Sequence, residues 1–238
     1  MRGASGIAAP STARRLRLPI DPFLLPRMAT TLPPRPGKGS TVAPALPLAL
    51  LEAVQSHDRP GEVLEDEDLA VSLPRRLGLT GVILTQIRRY ETAYASGRKV
   101  PLNEILDLMR LVLRRPDAPT ILNETGRRVA RLQLERRFSP SRTLRSALPR
   151  TLRFAFARRA AHRLLRTIGG GPIEVLGKPF ELRMNDSPMV RLDPPACALY
   201  TGALREVVEL QTGEPHEVIH VRCAARGDPG CDWTLPAE

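Results

Sequence analysis

Apolar side chains recur every three or four residues in four segments of the chain, at residues 81–94, 101–113, 120–137 and 150–168. This spacing places them on one face of an α-helix, so the pattern predicts four amphipathic helices. Pro101 can open the second helix, because the first helical position has no backbone hydrogen bond to lose.

The periodicity changes after the glycines at 169–171. Residues 173–176, 180–184, 216–223 and 231–235 have the composition and alternation of short strands, whereas residues 194–210 keep helical spacing. Short strands that follow a run of helices predict an α+β fold, in which helices pack on a small twisted antiparallel sheet.

The first 58 residues show no helical period, and nine of the 24 prolines lie in residues 1–50. Proline fixes φ and removes a backbone donor, so we expect residues 1–58 to form a disordered tail rich in proline and arginine. The apolar stretch 42–54 falls inside this tail, where Pro44 and Pro47 interrupt it.

The rest of the chain is predicted to have two parts. Residues 59–116 form a helical N-terminal part, and residues 117–238 form the part that carries the candidate chemistry. The sequence leaves open whether Met1 or Met28 is the true start.

The net charge of +11 comes from one block. Residues 127–166 contain thirteen arginines and a single acid, Glu135. In the helix at 150–168, Arg159, Arg163 and Arg166 lie opposite the apolar face. They form either a solvated charged face or a binding face for an anionic partner, such as a carboxylate-bearing ligand, an acidic protein or a lipid surface.

Composition excludes several classes of protein. Aromatic residues make up only 4%, which argues against a single-strand nucleic-acid platform, and no helix-turn-helix or zinc-finger spacing supports DNA binding. No apolar run approaches the roughly 20 residues of a membrane-spanning helix. We therefore expect a cytoplasmic protein, with peripheral membrane association as an alternative.

All three cysteines lie near the C-terminus, at Cys197, Cys223 and Cys231, and His220 precedes the second of them by three residues. A hairpin would bring Cys223 and Cys231 together, and Cys197 falls in the first turn of a helix, where the dipole favours a thiolate. Three thiolates and one imidazole make a closed tetrahedral zinc set. The alternatives are a Cys223–Cys231 disulfide, three buried thiols, or Glu217 in the place of His220.

The same residues carry a family resemblance. The runs Cys197-Ala-Leu-Tyr-Thr-Gly202, Val218-Ile-His-Val-Arg-Cys223 and Gly227-Asp-Pro-Gly-Cys231-Asp-Trp233 resemble the end of the 4-vinyl reductase domain. Zinc-bearing members use such cysteines with an acidic residue three positions before the middle one, where this chain has His220. Further upstream, the stretches at 126–130 and 148–153 resemble the member found in bacteriochlorophyll synthesis gene clusters.

The resemblance implies a domain related to vesicle-tethering TRAPP subunits and haem-based nitric-oxide sensors, with an apolar ligand cavity between helices and sheet. Residues 117–238 would then be a ligand-binding domain with a structural zinc site at its C-terminal end. Its ligand would be a tetrapyrrole or another small hydrophobic molecule. The candidate ligand-binding residues are Arg159, Arg163, Arg166 and Tyr200.

The implied function is in (bacterio)chlorophyll biosynthesis, where the protein would bind a divinyl tetrapyrrole and assist reduction of its 8-vinyl group. No Gly-x-Gly-x-x-Gly motif follows a predicted strand, so the residues fit a carrier better than a self-sufficient reductase. The alternative function is a sensor of small aromatic or hydrocarbon ligands. Tetrapyrrole-pathway enzymes and an anionic membrane surface are the expected partners, and a homodimer is among the assemblies left open.

Overall fold

The computed structural model of the chain describes residues 40–58, 81–135, 148–169, 171–177 and 180–236. Within these ranges the chain forms six α-helices and six strands. In chain order they are β1 (Thr41–Val42), α1 (Ala45–His57), α2 (Gly81–Ser96), β2 (Val100–Pro101), α3 (Leu102–Val112), α4 (Ala118–Glu135), α5 (Arg150–Thr167), β3 (Ile173–Gly177), β4 (Glu181–Met184), α6 (Cys197–Thr212), β5 (Ile219–Arg222) and β6 (Cys231–Thr234).

The four predicted amphipathic helices are confirmed as α2 to α5, each within about two residues of the predicted bounds. In α5 the predicted apolar face is buried, including Phe154, Ala161 and Leu165. The α+β class is also confirmed. None of the described helices is long and apolar enough to cross a membrane.

The predicted disorder of residues 1–58 is wrong for residues 40–58, which form β1 and α1. Nearly every side chain from Ala45 to Leu51 is buried, so α1 is a core helix with no polar face. Pro44 is the N-cap and Pro47 lies in the first turn, where backbone N–H groups have no helical acceptor to lose. The predicted tail up to residue 39 lies outside the described residues.

All the described residues belong to one unit, residues 33–238, so the predicted boundary at 116/117 falls inside it. At its centre α4 packs along α6, with α1 on the other side of α4 and α5 against α6. Two glycines allow the close approach of α4 and α6. A Cβ on Gly126 would lie 2.0 Å from the backbone oxygen of Leu199, and one on Gly202 would lie 2.0 Å from that of Asn123.

A buried carboxylate also joins these two helices. Glu206 of α6 is 2% exposed, and its oxygens accept hydrogen bonds from Arg127 Nε at 2.9 Å and Arg131 Nε at 2.6 Å. Two arginines of the basic block therefore hold α4 against α6, and their charge is offset inside the fold.

The main sheet is antiparallel with strand order β3-β4-β6-β5. Its core side packs toward α6, where the ring centroids of Trp233 and Tyr200 lie 5.9 Å apart. On the opposite side, Arg183 of β4 makes a bidentate ion pair with Asp232 of β6, with two N–O distances of 2.8 Å. This pair lowers the pKa of Asp232 below its usual range. The sheet therefore fixes the strand that carries Cys231.

Candidate metal centre

Four side chains that are distant in sequence meet where α6 begins against the β5–β6 hairpin. Cys197, His220, Cys223 and Cys231 each offer one ligand atom, and these atoms all lie within 4.8 Å of one another. The three cysteines are buried and form no disulfide. The structure thus brings together the four residues that the sequence pattern selects, in a group that can hold a metal ion.

Cys197 is placed by the start of α6. A 3-10 turn, Pro194–Ala196, leads directly into the helix, and the Cys197 Sγ lies 3.7 Å from that of Cys223 and 3.6 Å from that of Cys231. Asp193 precedes this turn but makes no capping hydrogen bond with its side chain, contrary to the sequence prediction. Proline in the turn supplies the fixed φ that starts the helix instead.

The loop between Cys223 and Cys231 is held by its own hydrogen bonds. The backbone N–H of Cys223 donates to Asp228 Oδ2 at 2.8 Å, and the N–H of Arg226 donates to the Cys223 carbonyl at 2.9 Å. The N–H of Ala224 donates to the Cys231 sulfur at 3.3 Å. These contacts fold the loop into a knuckle that presents both sulfurs on the same side, and the Ala224 donor stabilises negative charge on one of them.

His220 is oriented by a tryptophan on the neighbouring strand. His220 and Trp233 are register partners across β5 and β6, and their rings stack with centroids 4.9 Å apart and an interplanar angle of 19°. Trp233 Nε1 donates to Thr201 Oγ1 at 3.0 Å, and that hydroxyl donates to the Cys197 carbonyl at 3.1 Å. Trp233 therefore links the histidine ring to the helix turn that carries Cys197.

The Nε2 atom of His220 is buried and has no hydrogen-bond partner. A buried ring nitrogen without a partner is costly, because it has lost its water and gained nothing in return. A metal ion bound by this cluster would provide the missing interaction. Glu217, the alternative ligand, is exposed in the segment before β5 and lies outside the group of four.

The thiols share protons unequally. The hydrogen bond with Cys197 and the nearby His220 lower the pKa of Cys231 to about 5. The same hydrogen bond, together with burial, raises the pKa of Cys197 well above its usual range. The expectation that the helix dipole favours a thiolate at Cys197 is therefore wrong. Two sulfurs in contact share one proton, and Cys231 has the Ala224 N–H to stabilise its negative charge.

The predicted ligand-binding residues do not share a surface. Arg159, Arg163 and Arg166 are exposed on α5, as predicted, whereas Tyr200 is fully buried in the core. The Tyr200 hydroxyl lies 3.0 Å from Ser187 Oγ, and burial raises its pKa above the usual range. Tyr200 is therefore placed as a packing residue beside Trp233.

Two residues that organise the centre were not selected from the sequence. Trp233 follows Cys231 by two positions, which places both on the same face of a strand, and this alternation could have identified it. Asp228 lies in a Gly-Asp-Pro-Gly turn, a setting in which aspartate commonly accepts a backbone N–H. Both signals are local, and both were available in the sequence.

Comparison with known proteins agrees with the location of this centre. Residues 181–235 match the family model of the 4-vinyl reductase domain. The matched segment spans β4, α6, β5 and β6 and includes all four residues of the group. No curated protein and no solved structure matches the chain significantly.

Proposed function

Because residues 181–235 form a 4-vinyl reductase domain, we propose that the chain is a ligand-binding protein of (bacterio)chlorophyll biosynthesis. In this proposal it binds a divinyl tetrapyrrole and assists reduction of its 8-vinyl group as a carrier. The observation that carries the proposal is the Cys₃His group inside the matched segment, because the resemblance to the bacteriochlorophyll-cluster member depends on the same cysteines.

The metal of this centre is zinc in our proposal. A tetrahedral site with zinc–sulfur bonds of about 2.3 Å has sulfur–sulfur edges of about 3.8 Å. The Cys197 sulfur lies 3.7 Å and 3.6 Å from the other two, so the cluster already has nearly the required size. Three thiolates and an imidazole are also ligands that zinc prefers.

A zinc ion held by Cys197, His220, Cys223 and Cys231 would have four protein ligands and no position for water or substrate. Its role is then structural: it would tie the first turn of α6 to the β5–β6 hairpin. Bound zinc would act on these residues as a charge that keeps the thiols deprotonated.

A carrier role fits the residues better than catalysis. Reduction of a vinyl group needs a hydride or electron source, and the sequence lacks the glycine fingerprint of a dinucleotide-binding strand–turn–helix. The three cysteines are assigned to one mononuclear site, which leaves none for an iron–sulfur cluster. The proposed protein therefore presents its ligand to a separate reductase.

The exposed side of α5 supports a place at a membrane surface. Leu152 and Phe156 are 46% and 51% exposed, and Arg159, Arg163 and Arg166 continue the same stripe at helical spacing. None of these arginines has an ion pair with another described residue. Apolar rings and guanidinium groups along one helix face suit the headgroup region of an anionic bilayer, so we place the carrier in the cytoplasm at such a surface.

A titration tests the tetrapyrrole proposal. The full chain, loaded with zinc, is titrated with divinyl chlorophyllide while the Soret band is recorded. A saturable shift at micromolar concentration supports the carrier, and no shift contradicts it. Binding of small phenols without any tetrapyrrole binding would favour the alternative, a sensor of the same domain family with the relation to TRAPP subunits and haem-based sensors that the sequence implies.

Elemental analysis tests the metal independently. Purified full-length protein should contain about one zinc per chain, as expected for a closed four-ligand site. A content below about half an equivalent after purification without chelators would count against zinc.

A further inference from the structure

A surface groove of about 530 Å³ runs between α1, α4 and α6. It adjoins a second pocket of about 350 Å³ that Cys197 and His220 help to line, and the two pockets share Pro119, Asn123 and Ala198. Both are open to solvent, so neither is the enclosed apolar cavity that the family resemblance implies. A volume near 530 Å³ is nevertheless typical of a small-molecule site.

Arg205 projects from α6 into the lining of the larger pocket. Its Nε atom is buried and has no hydrogen-bond partner, and the side chain makes no ion pair with any other described residue. A buried guanidinium N–H without an acceptor is costly, because guanidinium donors lose their water on burial. An acceptor that enters the groove would remove this cost.

The other charges of the groove are already paired. Glu124 is the only acid in its lining, and it accepts a hydrogen bond from Arg128 Nε at 2.9 Å. Arg128 also lies 3.9 Å from Glu52 of α1. The guanidinium of Arg205 is thus the one lining cation whose charge no described residue offsets.

We propose that this groove binds a small organic carboxylate. The two carboxylate oxygens would accept the hydrogen bonds of Arg205, since the guanidinium fork matches a planar carboxylate. The organic part would lie over Pro119 and Ala198, with the Asn123 amide and the Thr120 hydroxyl in the lining as further polar groups. A dianionic phosphate fits less well, because Glu124 faces the same space and only one cation there is uncompensated.

This inference goes beyond the carrier function and does not depend on it. The groove is separate from the exposed arginines of α5 and reaches Ala198, the residue directly after Cys197. Its ligand would therefore sit beside the helix turn that holds the metal centre.

The test uses two fluorinated probes of the same shape. The full-length zinc-loaded chain is titrated with 4-fluorobenzoate and, separately, with the neutral 4-fluorobenzamide, and ¹⁹F line broadening gives the dissociation constants. We expect the carboxylate to bind at least about tenfold more tightly than the amide, because only the carboxylate makes charge-assisted hydrogen bonds. Inorganic phosphate, added as competitor, should displace 4-fluorobenzoate poorly.

Variants assign the effect to Arg205. Arg205→Gln should weaken 4-fluorobenzoate binding about tenfold, whereas the matched control Arg166→Gln, on the exposed side of α5, should leave it unchanged. Thr120→Phe fills the groove from an exposed position and keeps Arg205, so it tests the site even where Arg205→Gln fails to fold. Equal binding of the two probes, full binding by either groove variant, strong displacement by phosphate, or no broadening with the wild-type chain would each overturn the proposal.

Discussion

The carboxylate of Glu206 and the guanidinium of Arg131 lie 2.6 Å apart across the contact between α6 and α4, although 75 residues separate them in the chain. The Glu206 side chain is 3% exposed and Arg131 is 48% exposed, so the pair joins a buried acid to a partly solvated base. Its hydrogen bond with Glu206 raises the pKa of Arg131. The contact therefore makes part of the basic block an internal clamp.

Glu206→Gln should destabilise the protein. The substitution keeps the size of the side chain but removes the charge that Arg127 and Arg131 share. We expect the free energy of unfolding to fall by about 2 kcal/mol, below the full cost of breaking a buried pair because both arginines reach solvent. Urea titration followed by circular dichroism measures the change.

Glu209→Gln is the matched control for this clamp. Glu209 is 38% exposed and lies 3.8 Å from Arg127, so its loss should cost less than about 0.5 kcal/mol. Equal effects of the two substitutions would show that the buried position of Glu206 has no special weight.

Gly202→Ala should separate α4 from α6. A methyl group at this position would lie 2.0 Å from the Asn123 carbonyl oxygen, which is backbone and cannot rotate away. We expect a loss of about 3 kcal/mol of stability, at the upper end of overpacking effects. Thermal unfolding of Gly202→Ala and of Gln211→Ala, a partly exposed position on the same helix, gives the comparison. A stable Gly202→Ala variant would contradict the close approach.

His220→Ala and Glu217→Ala separate the two candidate fourth ligands. His220 lies in the group of four and Glu217 does not. Loss of a direct ligand should weaken zinc binding by more than about a hundredfold, beyond the effect of losing a residue that only supports a ligand. Glu217→Ala should bind zinc as the wild type does. Competition with a chromophoric chelator measures both affinities, and the reverse ranking would reassign the site.

Trp233→Leu should weaken metal binding without removing a ligand. It deletes the ring that stacks on His220 and the Nε1 hydrogen bond to Thr201. Supporting residues of this kind contribute about 10- to 100-fold in metal affinity. Trp233→Phe keeps an aromatic ring beside His220 and should fall between Trp233→Leu and the wild type in the same chelator assay. A folded Trp233→Leu protein with wild-type affinity would exclude this orienting role.

Arg159→Glu/Arg163→Glu should abolish binding to anionic vesicles. Each basic residue near such a surface contributes about 1 kcal/mol, so reversing two charges should reduce co-sedimentation with phosphatidylglycerol vesicles at least about tenfold. Arg98→Glu/Arg114→Glu makes the same charge change at exposed positions away from α5 and should have little effect. Similar losses in both double variants would indicate a general charge effect.

The metal centre could be predicted from the sequence because its determinants are short-range. Cys223, Cys231 and His220 lie within one hairpin, and the fold has only to bring up the start of α6 with Cys197. Alternation along a strand and the position of a cysteine in a first helical turn are both visible in the residue pattern.

Helix α1 escaped prediction for the opposite reason. Periodicity identifies helices by the contrast between an apolar and a polar face, and α1 is buried on nearly all sides. Its prolines, which interrupt a pattern, lie at the cap and in the first turn, where they do not interrupt a helix.

The basic block was located correctly in the sequence, but its meaning depends on contacts that the sequence does not contain. Arg127 and Arg131 reach Glu206, and Arg153 donates to the Thr212 carbonyl at 2.6 Å, whereas Arg159 and Arg163 stay exposed. The groove around Arg205 is assembled from three helices that are far apart in the chain, so no local pattern could have revealed it.

Trp233 is the single tryptophan of the chain, and it is fully buried against the imidazole of His220. Light absorbed at the red edge of the protein spectrum therefore excites one chromophore at one known place. Its fluorescence intensity and lifetime report on the corner where α6 meets the hairpin, with no contribution from other indoles. The protein thus carries a built-in optical probe through which loading and release of the ion can be followed in real time without a label.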